Sequence, residues 1–329
     1  MKVQLALIKA CKEKIEGSNL AQELSELLHV NVDGAYRRMR GSTELTISEI
    51  QLICKHFNIS FDSIMLYQSN LVPFHFNTMF KERFHIVEYL ENIASALKAL
   101  SVGKNVQIAM TAMDLPYFRQ FGFKNLSRFK LFFWQRSVLN LDSHRHKKFN
   151  AEEVVEDFEQ IVEKINYYYH GVDSYEIWAP ETIDRSIKEI QYYVDSGLIE
   201  SKEDFDKICD DLDDLLNTLE RQAETGKKSI NNKYGILHSN FEMYQSDIFI
   251  SNNCIQAETK DETYTYITFN SFNHLMTFSK EFSEECQKWM EQMRSKSILL
   301  SEVSEKLRYQ FFLSQRKKIT YLRSLYQTI

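Results

Sequence analysis

"NVDGAYRRMRGSTELTISEI", residues 31–50, sets three arginines within four positions, a glycine directly behind them, and then a new amphipathic run. Asn31 is placed to cap a helix that begins at Val32, since a short side-chain oxygen can take up a free amide of the first turn. Gly41 is placed to stop it, because glycine enters the left-handed backbone that ends many helices. Between the two, Ala35 and Met39 are i,i+4 neighbours and form an apolar stripe. Asn31, Val32, Asp33, Tyr36, Arg37 and Arg40 then lie on the outer side, with Arg38 near its edge. Further on, "TISE" at 46–49 has the capping-box pattern, in which the Thr46 hydroxyl meets the amide of residue 49 and Glu49 reaches back. The helix it opens carries Ile47, Ile50, Ile53, Cys54 and Phe57 toward a core.

Upstream, residues 4–15 place Leu5, Ala6, Ile8 and Ile15 at helical spacing. Gly17 and Ser18 offer a stop and a cap. A second helix follows with Leu20, Leu24, Leu27 and Leu28 on one stripe, and it breaks at His29-Val30-Asn31. Downstream, Ser60 caps a last turn carrying Phe61, Ile64 and Met65. Five short helices in about 65 residues, with a tight turn between the second and third, predict a helix-turn-helix domain over residues 1–66.

These residues carry a resemblance to the lambda-repressor-like family, the Cro and xenobiotic-response-element type of DNA-binding domain. The matching stretches are "LSELLHVNVDGAYRRMRG" and "LTISEIQLICKHFNIS". Leu24-Ser25 matches the opening leucine and small residue, Leu28 the apolar residue before the turn, Ala35 the anchor of the recognition helix, and Gly41 its terminating glycine. His29 stands where the family's turn usually has glycine, and Arg38 where a second apolar anchor is common, a place Met39 can fill. The resemblance implies double-stranded DNA as partner. Asn31, Val32, Asp33, Tyr36, Arg37, Arg38 and Arg40 would then meet the major groove and its phosphates. Gln22 and Asn31, at helix starts, would hold phosphates.

Composition bounds the rest. The chain of 329 residues is 43% hydrophobic with a formal charge of −6, so general affinity for polyanions is not expected and DNA binding must come from a local patch. Residues 1–66 themselves balance, with eight Lys/Arg against eight Asp/Glu, so two copies are expected for tight binding. Three prolines and nine glycines in the whole chain predict few turns and long helices. Five scattered cysteines suit reduced thiols in a cytoplasm. No signal peptide and no membrane span are read.

Residues 67–79, "YQSNLVPFHFNTM", read as a linker to a regulatory or oligomerisation domain at 80–329. Helices are expected near 80–101, 124–141, 151–170, 181–196, 202–226, 279–297 and 303–325. The aromatic runs "FKLFFWQRS" (129–137) and "INYYYHG" (165–171) read as core or dimer packing. Alternation at Ile248 and Ile250, at Ile255 and Ala257, in "YTYITF" (264–269) and in "HLMTF" (274–278) predicts a small antiparallel β insertion near 244–278. The fold class expected is therefore mainly α. An acidic stretch at 200–224 and a basic one at 306–329 could pair within or between subunits, contact phosphates, or simply face solvent.

"DLPYFRQFGFKNLSRFKLFFW", "EIWAPETIDRSIKEIQYYVDSG" and "SKSILLSEVSEKLRYQFF" resemble the long second halves of certain uncharacterised bacterial helix-turn-helix regulators, which implies a shared architecture and no activity. His144 and His146 have a spacing a metal can use on a strand, but no Cys or carboxylate cluster surrounds them, so no metal and no cofactor is expected. No phosphate loop or nucleophile motif supports an enzyme. The expected role is a dimeric DNA-binding transcriptional regulator. The competing one is an interaction scaffold or signalling adaptor whose N-terminal helices bind a protein.

Overall fold

The computed structural model describes residues 2–15, 19–65, 71–80, 84–153, 156–260 and 262–326. The chain divides into two compact units, Met1–Phe74 and His75–Ile329. The first is built of α1 (Lys2–Glu13), α2 (Leu20–Leu27), α3 (Val32–Met39), α4 (Ile47–His56) and α5 (Phe61–Met65). Leu7, Ile8, Cys11, Leu20, Leu24, Leu28, Ala35, Ile53 and Phe57 form its core, each from the inward stripe of its helix. Ile47, expected toward that core, faces out instead at 85% exposure, and Leu5 of the α1 apolar pattern is exposed at 43%. Ile47 is the first residue after the Thr46 cap, too early in α4 to turn inward. The stop and cap at Gly17 and Ser18 lie outside the described residues, and Asn19 caps α2 by accepting from the Ala21 amide at 3.1 Å.

The second unit corrects the fold class. It is not a helical domain with a small β insertion: a mixed sheet of nine strands is found among the described residues. Its order is β1 (His75–Phe76), β8 (Asn273–Thr277), β7 (Thr263–Phe269), β6 (Cys254–Glu258), β2 (Gln107–Ala112), β3 (Asp173–Trp178), β5 (Gly235–Gln245) and β4 (Lys227–Asn232), with β9 (Ile298–Leu299) on β5. β2, β3 and β5 run parallel, in register Gln107 with Asp173 and Ser174 with Phe241. The other pairings are antiparallel. The hairpins near 244–278 are thus one wing of a larger sheet. β1 falls within 67–79, and no strand forms at Ile248–Ile250.

Parallel strands need long crossovers. The first runs through α7 (Tyr117–Gln120), α8 (Lys124–Phe133), a π-helical turn at Trp134–Val138 and α9 (Glu156–Tyr169). The second runs through α10 (Asp184–Asp195), α11 (Lys202–Thr225) and β4. Before β2 comes α6 (Ile86–Val102), and after β8 come α12 (Lys280–Ser295) and α13 (Glu305–Tyr326).

The two-residue period of β3 divides its environment. Tyr175 and Ile177 join Ala109, Met290 and Met293 in a cluster that includes α12. Trp178 belongs to the cluster of α8, α10, α11 and α13. Glu176 points the same way as Trp178 and is fully buried. Its carboxylate accepts from Arg119 Nε at 2.9 Å, from the Tyr169 hydroxyl, and from Trp178 Nε1 at 2.8 Å. Burial opposes its charge, yet Arg119 outweighs that and holds the Glu176 carboxyl below the usual range. Lys228, also fully buried, meets the Ser174 hydroxyl at 2.7 Å and the Tyr169 ring face at 3.9 Å. Both aromatic runs are core: Phe129, Phe132, Trp134, Ile165 and Tyr169 are buried. The acidic and basic stretches pair within the chain, Arg323 of α13 with Asp210 at 2.6 Å and Asp213 at 3.0 Å, and Arg316 with Glu220.

Candidate DNA-binding face

The turn between α2 and α3 is closed by backbone. Val30 N donates to Ser25 O at 3.1 Å, and the Ser25 hydroxyl donates to Val30 O at 2.7 Å. The chain reverses because His29 adopts φ 53°, the left-handed region that glycine enters without cost. The position where the resembled family carries glycine is therefore left-handed here with an imidazole on it. α3 starts on Asn31, whose side chain accepts from Gly34 N at 2.8 Å. It ends at Gly41, φ 75°, where Gly41 N reaches Arg38 O at 3.0 Å and Ser42 N reaches Arg37 O at 2.9 Å.

Ala35, fully buried, ties α3 to the core, with Met39 packed beside it. The opposite side is open: Asn31, Val32, Asp33, Tyr36, Arg37 and Arg40 are all exposed. Val32 and Tyr36, at 41% and 40%, put an apolar and an aromatic surface one turn apart, and Arg37 and Arg40 flank them toward the carboxyl end. Gln22, on α2, is exposed too, with a 3.5 Å contact to Glu26.

Arg38 differs. Its guanidinium lies 2.7 Å from Glu49 Oε1 through Nη2 and 2.9 Å through Nε, and its side chain is only 17% exposed. Glu49 also accepts from Thr46 N at 2.8 Å, and Glu49 N donates to the Thr46 hydroxyl at 3.2 Å, so the capping box forms. One carboxylate thus closes the start of α4 and binds an arginine of α3. Burial raises the Glu49 pKa, but the Thr46 amide and the Arg38 guanidinium together outweigh it and hold the carboxyl below 4.5.

A second brace escaped the sequence reading. Gln4 of α1 donates to Arg38 O and to Thr43 O, both at 2.8 Å, and accepts from Leu45 N at 3.1 Å. One amide therefore holds the loop that follows α3. A lone glutamine in an amphipathic helix gives no sign of this, because its three partners lie 34 to 41 residues away.

No helix among the described residues is long and apolar enough to cross a membrane. Neither the curated proteins nor the solved structures yield a match to the chain. Residues 11–111 match the BetR domain, a helix-turn-helix-type domain of transcriptional regulators. The match takes in α2 to α5 and runs on through α6 into β2. It supports, at that level, a chain with the helix-turn-helix domain of a DNA-binding regulator.

Proposed function

We propose that the chain is a sequence-specific transcriptional regulator whose first unit is of the lambda-repressor-like type and sets α3 into the DNA major groove. The observation that carries this reading is the exposed side of α3, an eight-residue helix capped at Asn31 and stopped at Gly41. Its outward Val32, Asp33, Tyr36, Arg37 and Arg40 can reach base edges and phosphates. Asn31 and Gln22, near the starts of their helices, face the sugar-phosphate backbone. Arg38 acts through Glu49 as a positioning residue that fixes the angle between α3 and α4.

The second unit brings two such heads together as a homodimer, so the operator is an inverted repeat with half-sites about 34–36 Å apart. Selection of genomic DNA fragments by the full-length protein, with Arg37→Ala/Arg40→Ala run alongside, tests the reading. Enrichment of one inverted-repeat site that is lost in the variant is the expected result, at about 1–3 kcal/mol for each arginine that reads a base. Equal enrichment by both proteins overturns the assignment of α3.

A further inference from the structure

Beyond the carboxyl end of β2 lies a cleft of about 30 Å³. Open sheets with parallel strands commonly bind ligands at this end. Its rim is held in place: Asn253 Oδ1 accepts from Met113 N at 2.7 Å and Asp114 N at 3.0 Å, while the Asp114 carboxylate accepts from Leu115 N at 2.8 Å.

Two of the lining residues carry buried polar atoms that no protein group among the described residues meets. Gln120 is 1% exposed. Its Nε2 donates to Leu115 O at 2.7 Å, which fixes the amide and leaves Oε1 without a partner. His274 is 9% exposed. Tyr89 spends its hydroxyl proton on Phe272 O at 2.7 Å, so its oxygen accepts from His274 Nδ1 at 3.1 Å. That tautomer makes Nε2 a bare acceptor, and it too has no partner. Burial keeps the ring neutral, with its pKa pushed down to about 4.

Both unmet atoms are therefore acceptors. The ionised groups of the lining are Asp114, Glu189 and Lys130, and Lys130 is committed to Glu189. The site carries a surplus of negative charge and of lone pairs, beside the aromatic rings of Trp134 and Phe272. Buried acceptors of this kind select a ligand that donates, since a ligand without N–H leaves them unpaired.

We infer that this cleft binds the head of a small organic primary ammonium compound, with Gln120 Oε1 and His274 Nε2 accepting its N–H bonds and Asp114 balancing its charge. The inference stands apart from the DNA-binding reading and does not depend on it.

Titration calorimetry of the full-length protein with ethylamine hydrochloride at fixed ionic strength tests it. Tetramethylammonium chloride, a cation with no N–H, serves as the control. The expected result is an affinity in about the millimolar range, the ceiling for so small a ligand, and binding of tetramethylammonium weaker by about tenfold or more. Two variants check the residues. His274→Phe removes the unmet nitrogen and Asp114→Asn keeps an acceptor for the Leu115 amide while losing the charge. Each weakens ethylammonium by about tenfold. Absence of ethylammonium binding to the folded protein, equal binding of tetramethylammonium, or undiminished binding in the variants overturns the assignment. Should His274→Phe not fold, Asp114→Asn decides alone.

Discussion

His29 and Lys228 each occupy a place that their own chemistry does not favour. At φ 53° the His29 backbone would suit glycine, and a β-branched side chain would be far worse than imidazole. His29→Gly is expected to hold or raise the stability of the first unit, and His29→Val to lower it by about 1–2 kcal/mol, as read by urea unfolding followed through far-ultraviolet circular dichroism. An equal effect of both would mean that the turn is not held left-handed in solution. Among the described residues no carboxylate hydrogen-bonds the buried Lys228, and burial followed by the charge of Arg119 pushes its pKa well below 10.5. The sign follows from this. Below 10.5 the unfolded chain protonates the amine and the folded chain resists it, so the residue costs stability that grows as pH falls from 10.5 toward the depressed value. Lys228→Met is therefore expected to raise unfolding free energy by about 1 kcal/mol or more at neutral pH, with less gain near pH 10. A loss of stability at neutral pH would show that the Ser174 bond and the Tyr169 ring compensate the amine fully. No feature of "GKKSINN" announces a buried lysine. The site residues differed in this respect, because capping and stopping are local chemistry: Asn31, Thr46, Glu49 and Gly41 declare themselves by type and spacing alone.

At the scale of elements, what was legible is what repeats locally. The 3.6-residue period placed α1 to α5 and α10 to α13 within a few residues, while α6 and α9 start six and five residues later than expected and α8 ends at Phe133, where a π-helical turn follows. Alternation found β6, β7 and β8, which pair with one another as neighbours in the chain. β2 and β3 were missed for a physical reason. Strands in a parallel centre are covered on both faces, so they lose the alternation that marks a half-solvated strand, and "QIAMTA" and "DSYEIW" are short enough to read as ends of helices. Their pairing across more than sixty residues leaves no local trace. The link between α3 and α4 is another non-local product, since Arg38 meets Glu49 only once both helices are in place. Its consequence is acid sensitivity. The Glu49 carboxyl is held below 4.5, so its stabilisation is complete above that pH and is lost as pH falls through the depressed value. Glu49→Gln keeps the reach back to Thr46 N but loses the ion pair, and should lower stability by about 1 kcal/mol at pH 7 and by progressively less toward pH 3. Unfolding midpoints of the two proteins that stay parallel across this range would assign the acid limb to other carboxylates.

For the whole molecule, charge makes the strongest demand. The 40 Lys/Arg and 46 Asp/Glu of the chain include eight of each in residues 1–66, so the remaining residues carry 32 against 38 and hold the entire net charge of −6. The net charge of the remaining residues therefore does not attract DNA in bulk, and two arginines of α13, Arg316 and Arg323, are paired with acids of α11. A single head with few phosphate contacts binds weakly, because each contact contributes a salt slope of only about −0.9 in log K against log salt. In the proposed homodimer, tight binding rests on two heads held by the second unit, where the second engages at an effective concentration of about millimolar. Residues 1–74 contain their own apolar core and serve as the isolated head. On an inverted-repeat operator, the full chain is expected to show about twice the salt slope of this fragment and an affinity about 10²–10⁴ higher. Arg37→Ala and Arg40→Ala in the full chain separate two roles. An arginine on phosphate lowers the slope by about one for each head and weakens all sequences alike, whereas one on a base leaves the slope nearly intact and relaxes selectivity at one position of each half-site. Fluorescence anisotropy between about 50 and 200 mM salt distinguishes these. Equal slopes and equal affinities for fragment and full chain would mean that one head binds alone, and the second unit would then have no part in holding the operator.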